Sequence, residues 1–115
     1  MTQDEMREIV LSFPLVEEAM SYGSPAFKVK GKFFTRLRKE DDSVVLVDIS
    51  ADEREMLMEA EPATFHITPH YKDYPSVLAR IATLHPGSFR NFLERRWKKV
   101  APKTAVKAWE AERSV

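Results

Sequence analysis

The chain has 115 residues, 43% of them apolar and 31% charged, with 18 cationic and 18 acidic side chains and no cysteine. That length suits one domain spanning residues 1–115, and the missing thiols exclude a disulfide framework, a zinc–thiolate centre and a cysteine nucleophile. Zero net charge argues against the strongly basic domain that is the commonest footprint of nucleic-acid binding.

In chain order, Thr2 and Glu5 fit a capping box, and Met6, Ile9, Val10 and Phe13 recur at helical spacing. This predicts a first helix near residues 3–12, ended by Phe13-Pro14 because a residue before proline avoids the α region. The opening MTQDEMREIV is acidic and amphipathic, with no apolar signal core, and apolar runs elsewhere are a few residues long. No membrane span and a cytoplasmic location are therefore expected. Leu15 to Pro25 reads as a connector in which Glu17 and Glu18 extend a short turn.

Phe27 and Val29 then alternate with Lys28 and Lys30, the period of a half-buried strand. Gly31 supplies a turn, after which Phe33, Thr35 and Leu37 alternate with Phe34, Arg36 and Arg38. A polar turn at residues 40–42 leads into the β-branched run Val44–Ile49, completing a three-stranded meander. Ser50 or Asp52 caps a helix through Met56, Leu57 and Ala60, which stops before Pro62. Thr64–Thr68 reads as a fourth strand with Phe65 and Ile67 inward and His66 outward. PHYKDYP at residues 69–75 forms a rigid aromatic loop, and Val77–Leu84 reads as a fifth strand. His85-Pro86 opens a helix whose stripe is Phe89, Phe92, Leu93, Trp97 and Val100. Ala101-Pro102 breaks it before a last helix with Val106 and Trp109 on one face. The sum is an α+β, two-layer fold: a five-stranded antiparallel sheet with helices packed on one face, in the order α-β-β-β-α-β-β-α-α.

The motifs for chemistry are sparse. His66 and His70 are separated by Pro69 on strand and loop, with no third ligand, so no metal site is indicated. No serine sits in a nucleophile elbow, and the three glycines are isolated, so neither acyl transfer nor a phosphate-cradling loop is indicated. No catalytic residue and no cofactor emerges, and the balance favours a protein that is not an enzyme. A weaker alternative is a ligand pocket built from Ser24, His66, His70, Tyr71 and Tyr74.

Charge, by contrast, is segregated. Residues 28–39 carry six cations and no acid, residues 40–61 carry nine acids against Arg54, and residues 90–107 carry seven cations against Glu94. Strand alternation would put Lys28, Lys30, Arg36 and Arg38 on one face of a hairpin, where they could reach phosphates. Arg95, Lys98 and Lys99 lie off the apolar stripe of their helix and would extend the track. The simpler reading is that each run is the solvated face of an amphipathic element.

Three words in order resemble the MmcQ/YjbR-like family of small bacterial proteins: LVEEAMSYGSPAFKVKGKFF, then TPHYKDYPSVLARI, then FLERRWKKVAPK. The likeness runs from about residue 4 to residue 110. It implies a two-layer structure with an antiparallel sheet, of the kind compared with frataxin-like (CyaY-like) and secretion-chaperone-like folds. It also implies DNA binding of a double-wing type, which directs attention to the basic hairpin. The frataxin comparison would suggest iron, but the acidic run Asp52, Glu53, Glu55 and Glu59 lies on a different helix from the N-terminal one used there. DNA is thus the leading partner, with a homodimer or other protein-interaction module as the alternative.

Overall fold

The computed structural model describes residues 1–113. Helix α1, Gln3–Leu11, is capped reciprocally: the Glu5 amide donates to Thr2 Oγ1 at 3.1 Å and the Thr2 amide to Glu5 Oε1 at 3.2 Å. The chain then enters four consecutive strands, β1 (Val16–Ser21), β2 (Ser24–Val29), β3 (Lys32–Arg38) and β4 (Ser43–Val47). Helix α2 (Ala51–Ala60), with Ser50 as its cap, leads to the short strand β5 (Phe65–His66). A single 3₁₀ turn, Pro69–Tyr71, precedes strand β6 (Ser76–Arg80). Helices α3 (Pro86–Val100) and α4 (Lys103–Arg113) complete the described chain.

The sheet is antiparallel throughout and has six strands, ordered β1-β2-β3-β4-β6-β5. This corrects the expected five strands and the expected element order. The addition is β1, in the segment read as a connector. Its two central glutamates are poor strand formers, and its burial never alternates because it lies at the sheet edge with its middle residues exposed. Two tight hairpins join β1, β2 and β3. In each the two loop residues have positive φ: Tyr22 (52°) with Gly23 (77°), and Lys30 (51°) with Gly31 (81°). These are the mirror-image turns whose twist matches that of the strands they connect.

A β-bulge interrupts the pairing of β2 with β3. Phe27 faces Thr35, but Lys28 faces Phe33, so Phe34 is the extra residue. Phe34 and Thr35 therefore both turn toward the helices, Phe34 into the core and Thr35 with its hydroxyl donating to the Val45 carbonyl at 2.8 Å. Phe33 is displaced to the opposite face, where it packs with Val45, Val47, Tyr71 and Leu78. The simple alternation expected for β3 thus fails at Phe33.

The main core lies between the sheet and the helices. Trp97 of α3 is fully buried, and its indole N–H donates to the Pro14 carbonyl at 2.9 Å. Phe13 contacts Phe34 edge-on at 5.7 Å, and Trp97 and Trp109 lie 5.5 Å apart. Aromatic contacts of this kind add roughly 1 kcal/mol each beyond burial, so Phe13 fixes the start of β1 against α3 and α4. A smaller cluster, Val45, Leu78 and Tyr71 with Phe33 and Val47, occupies the other face of the sheet. It is roofed by the loop from residue 69 to residue 75.

Candidate functional site

Residues opposite one another in an antiparallel pair share a face. By that rule Lys28, Phe33, Ala26, Arg36, Arg38 and Ser43 all project from the face away from the helices. His66 does too, opposite Leu78. Lys30 sits in the hairpin turn, and Lys32 lies opposite Val29 on the helix side. The four hairpin cations proposed from sequence are thus three on a face and one at the tip. Lys28, Lys30 and Lys32 are exposed and form no ion pair among the described residues.

The other cations singled out from sequence are engaged. Arg38 reaches Asp41 at 3.4 Å and Glu40 at 3.6 Å, and its guanidinium lies 5.5 Å from the centre of the Tyr71 ring. Burial alone would lower its pKa, but Asp41, Tyr71 and Glu40 outweigh that and raise it. Asp41 in turn meets His66 Nε2 at 2.9 Å. Burial pushes the Asp41 carboxyl up, yet the His66 and Arg38 contacts hold it below the usual carboxylate value.

Arg95, Lys98 and Lys99 do not extend the hairpin patch. Their helix packs on the opposite side of the sheet, and each is paired with an acid, Arg95 and Lys99 with acids from elsewhere in the chain and Lys98 with one on its own helix and one on α4. Arg95 binds both oxygens of Glu53 at 3.1 and 3.0 Å, tying α3 to α2. Lys98 lies 3.5 Å from Glu94 and 3.7 Å from Glu110. Lys99 and Arg96 share Asp48, at 3.0 and 3.1 Å. Burial would raise the Asp48 carboxyl, but Lys99 and Arg96 hold it down. One continuous basic track is therefore not what these residues form: the acids of residues 40–61 interleave with them.

The aromatic loop is the second feature of the outer face. His70, Tyr71 and Tyr74 converge, with ring centres 4.9 Å apart for His70–Tyr71, 5.9 Å for His70–Tyr74 and 6.4 Å for Tyr71–Tyr74. Tyr71 is buried against Val45 and Leu78, whereas Tyr74 is exposed. These three rings border a cavity of about 320 Å³ whose floor is Phe33, Val45 and Val47 and whose remaining wall is Arg36. Ser24 and His66, the other members of the pocket expected from sequence, do not line it. Ser24 is buried beside the tip of the first hairpin, and His66 is occupied by Asp41.

What holds the loop in place is Arg54 of α2. Its Nη1 donates to the carbonyls of Tyr74 (3.0 Å), Ser76 (3.3 Å) and Tyr71 (3.4 Å), and its Nη2 to that of Lys72 (3.0 Å). Sequence reasoning missed this role. The available signal was that Arg54 is the lone cation in an acidic run, which fits a helix that must present one donor to a loop of carbonyls. A larger cavity, about 450 Å³, lies between α2 and Ile67, but its cation is this same Arg54. Among the described residues no group of three or more His, Asp or Glu side chains is arranged to hold a metal ion, and no helix is long and apolar enough to cross a membrane.

Comparison with known proteins gives a family. Uncharacterised proteins of Mycobacterium bovis (strain ATCC BAA-935 / AF2122/97) and Mycobacterium tuberculosis (strains CDC 1551 / Oshkosh and ATCC 25618 / H37Rv) are each 27% identical over 124 residues, covering 96% of this chain and 96% of theirs. No solved structure matches the chain. The YjbR family model matches residues 11–99, a stretch that includes the basic hairpin, the loop-anchoring Arg54 and the aromatic loop, and the chain belongs to the YjbR family.

Proposed function

We propose that this is a non-enzymatic binding protein and that DNA docks on its β2–β3 hairpin. The observation that carries the reading is that Lys28, Lys30 and Lys32 flank one hairpin turn, exposed and outside any ion pair among the described residues, with Glu17 across from Lys28 as the one acid in register with them. In contrast, Arg38, Arg95, Lys98 and Lys99 are matched by acids, and Arg36 is held between Tyr22 and Tyr71. Three lysines at a β-turn contact phosphates and not base edges, so binding is sequence-tolerant. Each phosphate neutralised contributes about −0.9 to the slope of log affinity against log salt, giving a slope of about −3 for three. The test is fluorescence anisotropy on a short duplex across a salt series. A slope near that value, lost in the Lys28→Gln, Lys30→Gln, Lys32→Gln triple variant, supports the reading. No saturable binding at low salt, or an unchanged slope in the variant, refutes it.

A second reading, self-association, is favoured by β1. It is an outer strand with one unpaired edge, and it ends beside Met20 and Tyr22, which are 66% and 94% exposed. An open edge of this length is a template for pairing with another chain. Sedimentation equilibrium separates the cases: a monomer across the accessible concentration range eliminates this reading.

A further inference from the structure

The outer-face cavity has the make-up of a small-molecule site. At about 320 Å³ it falls at the lower end of the range for ligand pockets, roughly 300–1,000 Å³, which suits a body of one or two fused rings. Its floor is apolar, and its ring wall is steadied by four backbone carbonyls gripped by Arg54. The bulge in β3 matters here, because without it Phe34 and not Phe33 would lie on the outer face and contribute to the floor.

Arg36 supplies the polar element. Its Nη1 meets the Tyr71 hydroxyl at 3.5 Å, its guanidinium sits 5.7 Å from the Tyr22 ring centre, and it has no ion pair among the described residues. Its Nε is shut away from solvent with nothing to donate to. Arg38, two residues on and on the same face, is satisfied by Asp41 and Glu40. A guanidinium with unused donors beside an apolar floor is complementary to a planar anion. We propose that this cavity binds a small aromatic carboxylate, with its ring on Phe33, Val45 and Val47 and its carboxylate on Arg36. This site does not use the hairpin lysines, so it stands apart from the DNA reading.

The experiment is a proton–nitrogen NMR titration of the full chain with naphthoate and, in parallel, with the neutral isostere naphthamide. The expected result is saturable shifts confined to residues 33–36, 45–47 and 70–74, with the acid binding at least about tenfold tighter than the amide. Arg36→Gln should erase that preference while leaving hairpin-dependent DNA binding unchanged. Should that variant unfold, Arg36→Lys, which keeps the charge but loses the planar fork, should reduce the preference. Tyr74→Ala, at an exposed ring, should weaken both probes alike. Equal affinity for acid and amide, shifts centred elsewhere, or no saturation at millimolar probe would each overturn the proposal.

Discussion

Replacing Arg54 by methionine keeps the length of the aliphatic stem and removes the guanidinium that grips the 71–76 segment. Two of its four contacts are short, at 3.0 Å to Tyr74 and Lys72, while the 3.3 and 3.4 Å contacts share the nitrogen that already serves Tyr74. Counting about two effective charge-assisted bonds at roughly 1.5 kcal/mol each gives ~3 kcal/mol. The Tyr74 and Lys72 carbonyls lie at the surface and regain water when released, which brings the local loss to about 2 kcal/mol. That corresponds to roughly a thirtyfold rise in opening of the loop. The reporters are the amides of Tyr71, Tyr74 and Ser76, which donate within the loop to Thr68, Tyr71 and Tyr74. Hydrogen exchange should accelerate about thirtyfold at these positions, and because the same contacts are lost on complete unfolding, urea unfolding should also lose about 2 kcal/mol, whereas amides that exchange through smaller local openings elsewhere hardly change. Unchanged exchange in the loop, or unchanged stability to urea, would show that Arg54 does not anchor it.

Two further outcomes follow from the electrostatics and the turns. Asp48 has its carboxyl pKa held below the ordinary 3.8, so its ion pairs contribute fully above about pH 5 and are lost as pH falls through 3.8 and then through the lower folded value. Asp48→Asn should therefore cost about 1 kcal/mol at neutral pH, given partial exposure, and flatten the acid limb of the stability curve; an identical acid limb would count against the Arg96–Asp48–Lys99 cluster. Lys30 occupies the first position of a mirror-image turn at φ 51°, where asparagine is better suited. Lys30→Asn should raise stability by about 0.5 kcal/mol in chemical denaturation and lower the magnitude of the DNA salt slope by about 0.9, two readouts that move in opposite senses.

The helices were legible because their signals are local. Thr2 with Glu5, Ser50, and His85 before Pro86 all cap as their types and spacing imply. The stripe from Phe89 to Val100 delivers Phe89, Leu93, Trp97 and Val100 to the core. The first strand was not legible, since an edge strand exposed on both faces leaves no alternation to read, and Glu17-Glu18 resembles a solvated turn. Its one signal was Tyr22-Gly23, the same kind of turn as Lys30-Gly31 eight residues later. The phase of β3 was hidden by its bulge, which no residue type announces. The charge pattern was read correctly as segregated, but its neutralisation depends on pairs 42 and 51 residues apart, Arg95 with Glu53 and Lys99 with Asp48. For the same reason the aromatic loop was recognisable from PHYKDYP, while the floor beneath it and the anchor behind it come from other parts of the chain.

The strand order also governs the sequence in which the molecule can be assembled. From β1 to β4, every strand pairs with the one made just before it. The next strand to be made, β5, has no such neighbour: its place in the sheet is fixed only through β6, which lies between it and β4. A growing chain can therefore zip four strands by short hairpins, but the far edge must wait for β6, and with it the loop of His70, Tyr71 and Tyr74. The outer-face cavity is thus completed by the loop that arrives with β6, so the floor at Phe33, Val45 and Val47 exists before its ring wall does.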